Sequence, residues 1–214
     1  MITFITVKGN SVRCPRKNQK LLPYVLEQIS NYLDVVVITD DNELKRIAEK
    51  YNVSVFMETK DIQISEFNSI YNYLEVNNKL DTVDEFLYLP VTQPFRSNEL
   101  IMKIAYSNIY YYDFATTYTK VPDRRIFLLN DDNTFKYDSY ERKGSLCNDI
   151  KMIDGYGYKI KTDFLKRVIA SDNINHTFWN ESKIKFIENN SKIFLDVDTP
   201  DDLKLFNILK EKPL

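Results

Sequence analysis

Short apolar runs alternate with segments of helical periodicity along the first half of the chain. Ile2–Val7 and Val35–Ile38 are rich in β-branched and aromatic side chains, and Val53–Met57 and Phe86–Val91 have a similar character. Amphipathic patterns separate these runs, as in Leu22–Leu33. Strands that are apolar on both faces are typical of a parallel sheet with helices on each side. The sequence therefore predicts an α/β fold, with a Rossmann-like, mostly parallel sheet and helices on both faces.

The second half of the chain adds a polar stretch before a last strand and helix. Residues 110–154 are rich in Tyr, Asp and Asn, and we expect them to form an insertion in a single domain that spans residues 1–214. Ser191–Val197 is predicted to be a strand. Thr199 is a good N-cap residue and Pro200 suits the first helical position, so a helix is expected to begin there.

The charge balance and the cysteine count exclude several classes of protein. Lys and Arg number 29 against 31 Asp and Glu, so the chain has no basic surplus for nucleic acid or an anionic membrane. It has no apolar stretch of about 18 residues that could span a membrane. Two cysteines are too few for a disulfide framework or a zinc site, which indicates a reducing compartment. We therefore expect a cytoplasmic protein.

The loop after the first predicted strand, residues 8–18, combines positive charge with small polar residues. Its cations are Lys8, Arg13, Arg16 and Lys17. In an open parallel sheet the ligand lies beyond the carboxyl ends of the strands. Backbone N–H groups, a hydroxyl and fixed cations at that edge suit a triphosphate. A solvated basic loop would have the same composition, and the spacing is not that of a Walker P-loop.

Asp196 and Asp198 form a D-x-D pattern at the end of the last predicted strand. Paired carboxylates beside a bound nucleotide suit Mg²⁺, which takes one or two carboxylates together with phosphates and waters. The alternative is that Asp198 belongs to the cap of the last helix and that Asp196 is a surface residue. Thr92–Arg96 follows the fourth predicted strand and is also expected at the ligand edge, although such a segment is equally ordinary as a turn.

Four segments, each at the end of a predicted strand, carry motifs that occur together in one family. They are residues 7–18, Val37–Asp40, Leu89–Arg96 and Asp196–Leu203. The corresponding family motifs are A-R-x-G-S-K-R-x-P-x-K-N, V-S-T-D, L-Q-P-T-S-P-L-R and D-I-D-T-x-x-D-L, in the same order. Over nearly its whole length the chain therefore resembles the acylneuraminate cytidylyltransferase family, which comprises the CMP-sialic acid synthetases and their 3-deoxy-manno-octulosonate relatives.

The resemblance implies a nucleotidyltransferase-like fold and a Mg²⁺-dependent enzyme. Such an enzyme transfers CMP from CTP to a sialic-acid-like 2-keto sugar acid, releases pyrophosphate and serves polysaccharide biosynthesis. By resemblance, the nucleotide-binding residues are Lys8, Gly9, Ser11, Arg13, Lys17 and Asn18. The implied catalytic residues are Arg13, Lys17 and Asp198, the metal ligands Asp196 and Asp198, and the substrate-binding residues Thr92, Gln93 and Arg96. Residues 110–154 would match the family's dimerisation insertion, which implies a homodimer.

Three of the departures from the family motifs fall on positions expected to contact the nucleotide or the sugar. Lys8 stands in place of an Arg and lacks its bidentate fork, Val12 stands in place of a Lys, and Pro90 stands in place of a sugar-contacting Gln. Loss of one transition-state contact typically costs about 10²–10³ in rate, so a weakened activity is expected. Two alternatives stay open. One is a non-catalytic, nucleotide-binding member of the fold, and the other is a glycosyltransferase that holds a nucleotide sugar through the D-x-D residues.

Overall fold

The computed structural model describes residues 1–59, 65–122, 149–191 and 193–211. Its strands are β1 (Ile2–Val7), β2 (Asp34–Thr39), β3 (Ser54–Met57), β4 (Glu85–Tyr88), β5 (Phe114–Pro122), β6 (Asp149–Lys161) and β7 (Ile184–Glu188). Its helices are α1 (Lys17–Ile29), α2 (Asn42–Glu49), α3 (Glu66–Val76), α4 (Asn98–Ala105), α5 (Thr162–Ile169), α6 (Ile174–Asn180) and α7 (Pro200–Leu209).

The strands form one sheet in the order β3-β2-β1-β4-β6-β5-β7. β3, β2, β1 and β4 are parallel neighbours, and β5 and β7 are also parallel. β6 is antiparallel to both of its neighbours, β4 and β5. The predicted α/β fold with a mostly parallel sheet is therefore confirmed. The four apolar runs of the first half are its strands, although β4 ends at Tyr88, three residues before the predicted end.

Both faces of the sheet are covered, as predicted. Successive side chains of a strand point to opposite faces, so Phe4 and Ile5 enter different cores. The core around Ile5 contains buried side chains from α1, α2, α4 and α7. The core around Phe4 contains buried side chains from α3, α5 and α6. Continuous apolar strands such as β2 are needed because each of their residues is buried against one helix layer or the other.

The first helix begins earlier than its apolar periodicity predicts. α1 starts at Lys17, so Pro23 lies in the helix interior and not in its first turn. A proline there cannot donate the backbone hydrogen bond to the residue four positions earlier, which destabilises the helix. Complete burial of Leu22, Val25 and Leu26 offsets that cost, since each such side chain contributes about 1.5–3 kcal/mol. The early start matters for function because it carries Lys17 and Asn18 into the helix.

The predicted strand at Ser191–Val197 is wrong. The last strand is β7, and the segment that follows it has no strand assignment at any described residue. Leu195 and Val197 are buried, which explains the apolar pattern. The segment is fixed by isolated hydrogen bonds, among them one of 2.7 Å from the Val197 N–H to the Thr92 carbonyl. The predicted helix start is confirmed, with a capping box at Thr199.

Part of the predicted insertion belongs to the main sheet. Of residues 110–154, Phe114–Pro122 forms β5 and residues 149–154 begin β6. Residues 123–148, the middle of the predicted dimerisation element at 110–154, lie outside the described residues. Within the described ranges, no helix is long and apolar enough to cross a membrane.

Candidate active site

A cleft of about 530 Å³ opens at the carboxyl edge of the parallel strands. Its wall includes Lys8 directly after β1, Glu58 directly after β3, and the chain that follows β4. Nine predicted site residues line it: Lys8, Ser11, Arg13, Lys17, Asn18, Thr92, Gln93, Asp196 and Asp198. The structure thus brings residues from both ends of the chain to the edge where a ligand is expected.

One side of the cleft carries most of its charge; we call the first loop, the start of α1 and residues 196–198 the polar side. Lys17 Nζ donates to Asp198 Oδ1 at 2.8 Å and to the Val197 carbonyl at 2.7 Å. Arg13 forms a second ion pair with the other oxygen of Asp198 at 3.1 Å. The Lys17 side chain is only 8% exposed, whereas that of Arg13 is 74% exposed. Lys17 is therefore held in place, and Arg13 is free to turn toward a ligand.

The first loop is held by hydrogen bonds along its own length and to the end of β2. The Asn18 amide donates to the Lys8 carbonyl at 2.8 Å, and the Cys14 N–H donates to Ser11 Oγ at 3.3 Å. Gly9 lies off the cleft wall, where its N–H donates to Asp40 Oδ1 at 2.8 Å. A Cβ at Gly9 would come within 2.6 Å of the Asp41 carboxylate. Glycine at this position lets the loop pass close to the end of β2.

Asp196 lies beside Asp198 on the cleft wall. Partial burial raises the pKa of its carboxyl group, a hydrogen bond with Thr92 opposes the rise, and the Asp198 charge adds to it. Among the residues that the structure describes, no three His, Cys, Asp or Glu side chains group as a metal site. A pair of carboxylates nevertheless fits Mg²⁺, which completes its shell with phosphate oxygens and waters. Asp196 and Asp198 are thus the residues that could hold this ion.

The segment after β4 is tied to an irregular part of β6. The register of β5 and β6 shifts between Thr116 and Tyr118, which leaves a bulge around Gly155. Gln93 donates to the Asp154 carbonyl at 2.6 Å, and Gly155 has a φ of +64°. Both Gln93 and Gly155 line the cleft. A close approach accompanies the bulge, because a Cβ on Gly155 would meet the Tyr158 hydroxyl at 2.7 Å.

Arg96 does not line the cleft, but it binds the backbone of Pro90, which does. It is 4% exposed, and its guanidinium donates to the backbone carbonyls of Tyr156 and Pro90. Burial lowers the pKa of Arg96 to about 10. The structure therefore places this predicted substrate-binding residue where it joins the bulge to the segment after β4.

The other side of the cleft, which we call the aromatic side, consists of rings and two carboxylates. Its residues are Glu58, Glu66, Phe67, Tyr88, Tyr158, Phe178 and Trp179. Phe67 stacks on Phe178 with ring centres 4.4 Å apart, and Tyr88 stacks on Tyr158 at 5.8 Å. Trp179 packs edge-on against Phe178 at 5.0 Å and stays 37% exposed. The rings come from α3, β4, β6 and α6, so they form a continuous wall only in the folded chain.

Comparison with solved structures identifies the fold. The chain has a TM-score of 0.74 and 15% identity to a CMP:2-keto-3-deoxy-manno-octonic acid synthetase complexed with CTP, with 100% of this chain and 99% of that one covered. For the 4-diphosphocytidyl-2C-methyl-D-erythritol synthase from Anaerococcus prevotii the TM-score is 0.67 at 15% identity, over 99% and 98% of the two chains. The chain has the nucleotidyltransferase fold. A cytidylyltransferase from Leptospira borgpetersenii agrees, with a TM-score of 0.66 and 17% identity over 100% and 87%.

No protein-family model matches the chain, and no curated protein matches its sequence. The nucleotidyltransferase-like fold expected from the four motifs is therefore confirmed by structure and not by sequence similarity. At 15–17% identity these structures establish the fold alone. The acylneuraminate branch, with its sialic-acid-like substrate, stays a prediction.

Sequence reasoning missed the aromatic side of this nucleotidyltransferase fold. Of the residues on this side, Glu58 was the easiest to predict from the sequence, because it directly follows an apolar run that was predicted to be a strand. The rule that places ligands at the carboxyl edge of a sheet applies to β3 as much as to β1. Trp179 had no comparable signal, since a single ring on a short helix is usual in a core.

Proposed function

We propose that the chain is a cytidylyltransferase that transfers CMP from CTP to an acceptor with release of pyrophosphate. The observation that carries this proposal is the meeting of Lys17 and Arg13 with Asp198, beside Asp196, at the carboxyl edge of the sheet. Fixed cations and paired carboxylates at one point suit a triphosphate with its metal ion. The full-length structural similarity to cytidylyltransferases supports CTP as the nucleotide.

In this proposal, the polar side positions the triphosphate. An oxygen of the acceptor attacks the α-phosphorus, the bond from that phosphorus to the β-phosphate bridge breaks, and pyrophosphate leaves. The proton of an acceptor hydroxyl is released to solvent. Lys17 stays near the phosphates because the Val197 carbonyl also binds it, while the exposed Arg13 exchanges Asp198 for a phosphate oxygen. The contribution of the protein is positioning and charge stabilisation, as in other phosphoryl transfers.

We also propose that Mg²⁺ is the metal ion and that Asp196 and Asp198 bind it. When bound, the ion neutralises charge on the triphosphate and draws it toward the acid pair. Lys17 and Arg13 neutralise Asp198 in its absence, so the two carboxylates can lie side by side before a nucleotide arrives. A homodimer and a cytoplasmic location remain predictions from the sequence.

The acceptor predicted from the resemblance is a sialic-acid-like 2-keto sugar acid. Its carboxylate would need a positive partner on the cleft wall. Among the described wall residues, the cations are Lys8, Arg13 and Lys17, all from the first loop or the start of α1. Arg13 and Lys17 pair with Asp198 on the side that the triphosphate would occupy, whereas the Lys8 charge also reaches Glu58, where it opposes the rise in pKa that burial causes. The acceptor is therefore the least supported part of the prediction, and its charge is taken up in the next subsection.

The departures from the family motifs bear on the rate and not on the fold. Val12 is 97% exposed, so the missing lysine would stand in solvent at the mouth of the loop. Pro90 lies on the cleft wall, and its carbonyl accepts a hydrogen bond from Arg96. A proline retains that carbonyl but offers no amide side chain to a sugar. We propose that turnover is slow for this reason.

The test is pyrophosphate release with each of the four nucleoside triphosphates, with and without Mg²⁺, over a panel of acid, neutral and amino sugars. We expect release with CTP and Mg²⁺ only. Asp198→Asn should lower the rate about 10²–10³-fold, because the metal and both cations lose a charged partner. Asp201→Asn is the matched control, since this exposed residue forms an ion pair with the exposed Lys204, away from Asp198.

Absence of CTP binding by the folded protein in calorimetry would contradict the proposal. Binding of CTP without turnover on any acceptor would favour the non-catalytic alternative. Cleavage of a nucleotide sugar instead of its formation would favour the glycosyltransferase.

A further inference from the structure

We propose that the acceptor carries a protonated amino group, which binds on the aromatic side of the cleft between Glu58, Glu66 and the exposed rings. The inference rests on the proposed transfer of CMP and specifies its acceptor. The resemblance predicts an acceptor that carries a carboxylate. This inference instead predicts an acceptor that carries a cation, at the end away from the triphosphate.

The first observation is a buried carboxylate oxygen without a partner. Glu58 is 7% exposed and lines the cleft directly after β3. Its backbone N–H donates to the Thr39 carbonyl at 2.9 Å, and its Oε2 accepts from Ser69 Oγ at 2.9 Å. Its Oε1 has no hydrogen-bond partner. A buried polar atom left without a hydrogen bond is destabilising, so a donor from a bound molecule would remove that cost.

Other orphan atoms on the wall have the same polarity. Gln93 Oε1 and Asn18 Oδ1 are also buried without partners, and both residues line the cleft. All three unpaired atoms that belong to described wall residues are acceptor oxygens. They call for a ligand rich in N–H or O–H donors, and an ammonium group offers three donors and no acceptor.

The second observation is the set of aromatic rings on the same side of the cleft as Glu58. The aromatic side presents Phe67, Tyr158 and the partly exposed Trp179 to the cleft. A cation within about 6 Å of an aromatic ring centre, over its face, is attracted by the ring, and Trp is the best such ring. The ring faces are negative, as are the carboxylates, so they attract the same kind of group.

The third observation concerns the distribution of charge along the cleft. The cations of the described wall, Lys8, Arg13 and Lys17, belong to the loop after β1 and to α1. Glu66, at the start of α3, carries its negative charge toward the rings. After burial, this charge is among the causes that raise the pKa values of Tyr88 and Tyr158. An ammonium group on this side would face two opposite charges, those of Glu58 and Glu66, and one like charge, that of Lys8, which partly opposes the rise that burial causes in the pKa of Glu58.

The test uses one sugar ring in three charge states. Trp179 is the only tryptophan of the chain and lies on this wall, so its fluorescence reports binding there directly. D-glucosamine, D-glucose and D-glucuronate are titrated into the protein at constant ionic strength, and methylammonium and tetramethylammonium chloride serve as minimal probes. We expect a saturable change with glucosamine and methylammonium. Tetramethylammonium, which has the charge but no N–H donor, should bind at least several-fold more weakly.

Two variants and a control define the site. Glu58→Gln and Glu66→Gln should each weaken the response to glucosamine by at least about fivefold. Glu66 is exposed, so its variant keeps the test valid should Glu58→Gln fail to fold. Glu75→Gln, an exposed change on the same helix, should leave the titration unchanged.

The outcomes separate this inference from the proposed function. Binding of CTP in calorimetry, together with a glucuronate response that exceeds the glucosamine response, overturns the inference and leaves CMP transfer standing. Absence of any saturable amine response overturns it as well. A glucosamine response that depends on Glu58 supports the inferred amine site. If the same protein binds no CTP, the proposed function is contradicted while the amine site is still supported.

Discussion

The two sides of the cleft are built in different ways. On the polar side, charged groups are paired with one another before any ligand arrives, as Lys17 and Arg13 are with Asp198. On the aromatic side, Glu58 has an oxygen without a partner, and Trp179 is partly exposed. The polar side can therefore exchange partners with a triphosphate at little net cost. On the aromatic side the buried Glu58 oxygen is desolvated without a hydrogen bond in return, and a ligand that donates one would remove this cost.

The largest difference between the two sides is expected when Lys17, on the polar side, is replaced. Lys17→Met keeps much of the buried stem but removes the charge that faces Asp198. We expect the rate of CMP transfer to fall about 10²–10³-fold, because a fixed cation near the phosphates is lost. The fluorescence response of Trp179 to amines should stay the same. Steady-state kinetics and the titration measure both effects, and an equal loss on the two sides would show that they are not separate.

The second-largest effect is expected at Gly155, beside Tyr158 of the aromatic side. Gly155→Ala places a Cβ on a backbone with φ +64°, within 2.7 Å of the Tyr158 hydroxyl. The backbone strain costs about 1–3 kcal/mol, part of it absorbed by movement of Tyr158. We expect roughly a tenfold rise in the acceptor KM with little change in the affinity for CTP. A variant that loses CTP affinity instead would place this bulge on the nucleotide site.

A third measurement sharpens the contrast through pH. Burial raises the pKa of Glu58, and hydrogen bonding by Ser69 only partly opposes the rise. The folded state therefore disfavours the ionised form, and this penalty is present at pH values above the raised pKa. Glu58→Gln should make the protein about 1 kcal/mol more stable at neutral pH, near the low end of the cost of an unpaired buried group. The advantage should vanish as the pH falls below the pKa of an unfolded glutamate, about 4.3.

Urea unfolding at neutral and acid pH measures this difference. Glu75→Gln on α3 is the control, since an exposed carboxylate should show no such change. A Glu58→Gln variant that is less stable than the parent at neutral pH would show that the carboxylate is already satisfied.

The smallest effect is expected at Val12. Val12→Lys restores the cation of the family motif at a position that is 97% exposed. Because solvent and salt screen an exposed charge, we expect a rise of only about two- to fivefold in kcat/KM, and only at low ionic strength. Stability should not change. An identical rate at low salt would mean that the triphosphate lies away from the tip of this loop.

The polar side could be predicted because it comes from short contiguous segments. The loop after β1 and the Asp196–Asp198 pair each lie next to the predicted end of a strand. Because ligands bind beyond the carboxyl ends of the strands in such sheets, the two segments could be predicted to lie at one site. Even here one predicted element is wrong, since the described residues of Ser191–Val197 do not form a strand. The burial of Leu195 and Val197 produces a strand-like pattern without any neighbouring strand.

Arg96 shows the limit of transfer by motif. Its place in the segment after β4 predicted contact with a substrate, yet it is buried and donates to the Tyr156 and Pro90 carbonyls. The partner on β6 is 60 positions away in the chain. No local pattern can report such a contact, because it depends on which strand lies beside β4.

The amino-acid pattern alone was enough to predict the class of fold, the edge of the sheet that carries the site and the charged residues of the polar side. These properties follow from local periodicity and from short segments, and the periodicity reflects burial that repeats along each element. Three features become visible only in the folded chain: the aromatic side, the hydrogen bonds of Arg96, and the pairing of Lys17 with a residue 181 positions away. Those features depend on the order of strands and on the packing of α3 and α6 against them, and separation along the chain leaves no trace of such contacts in the sequence.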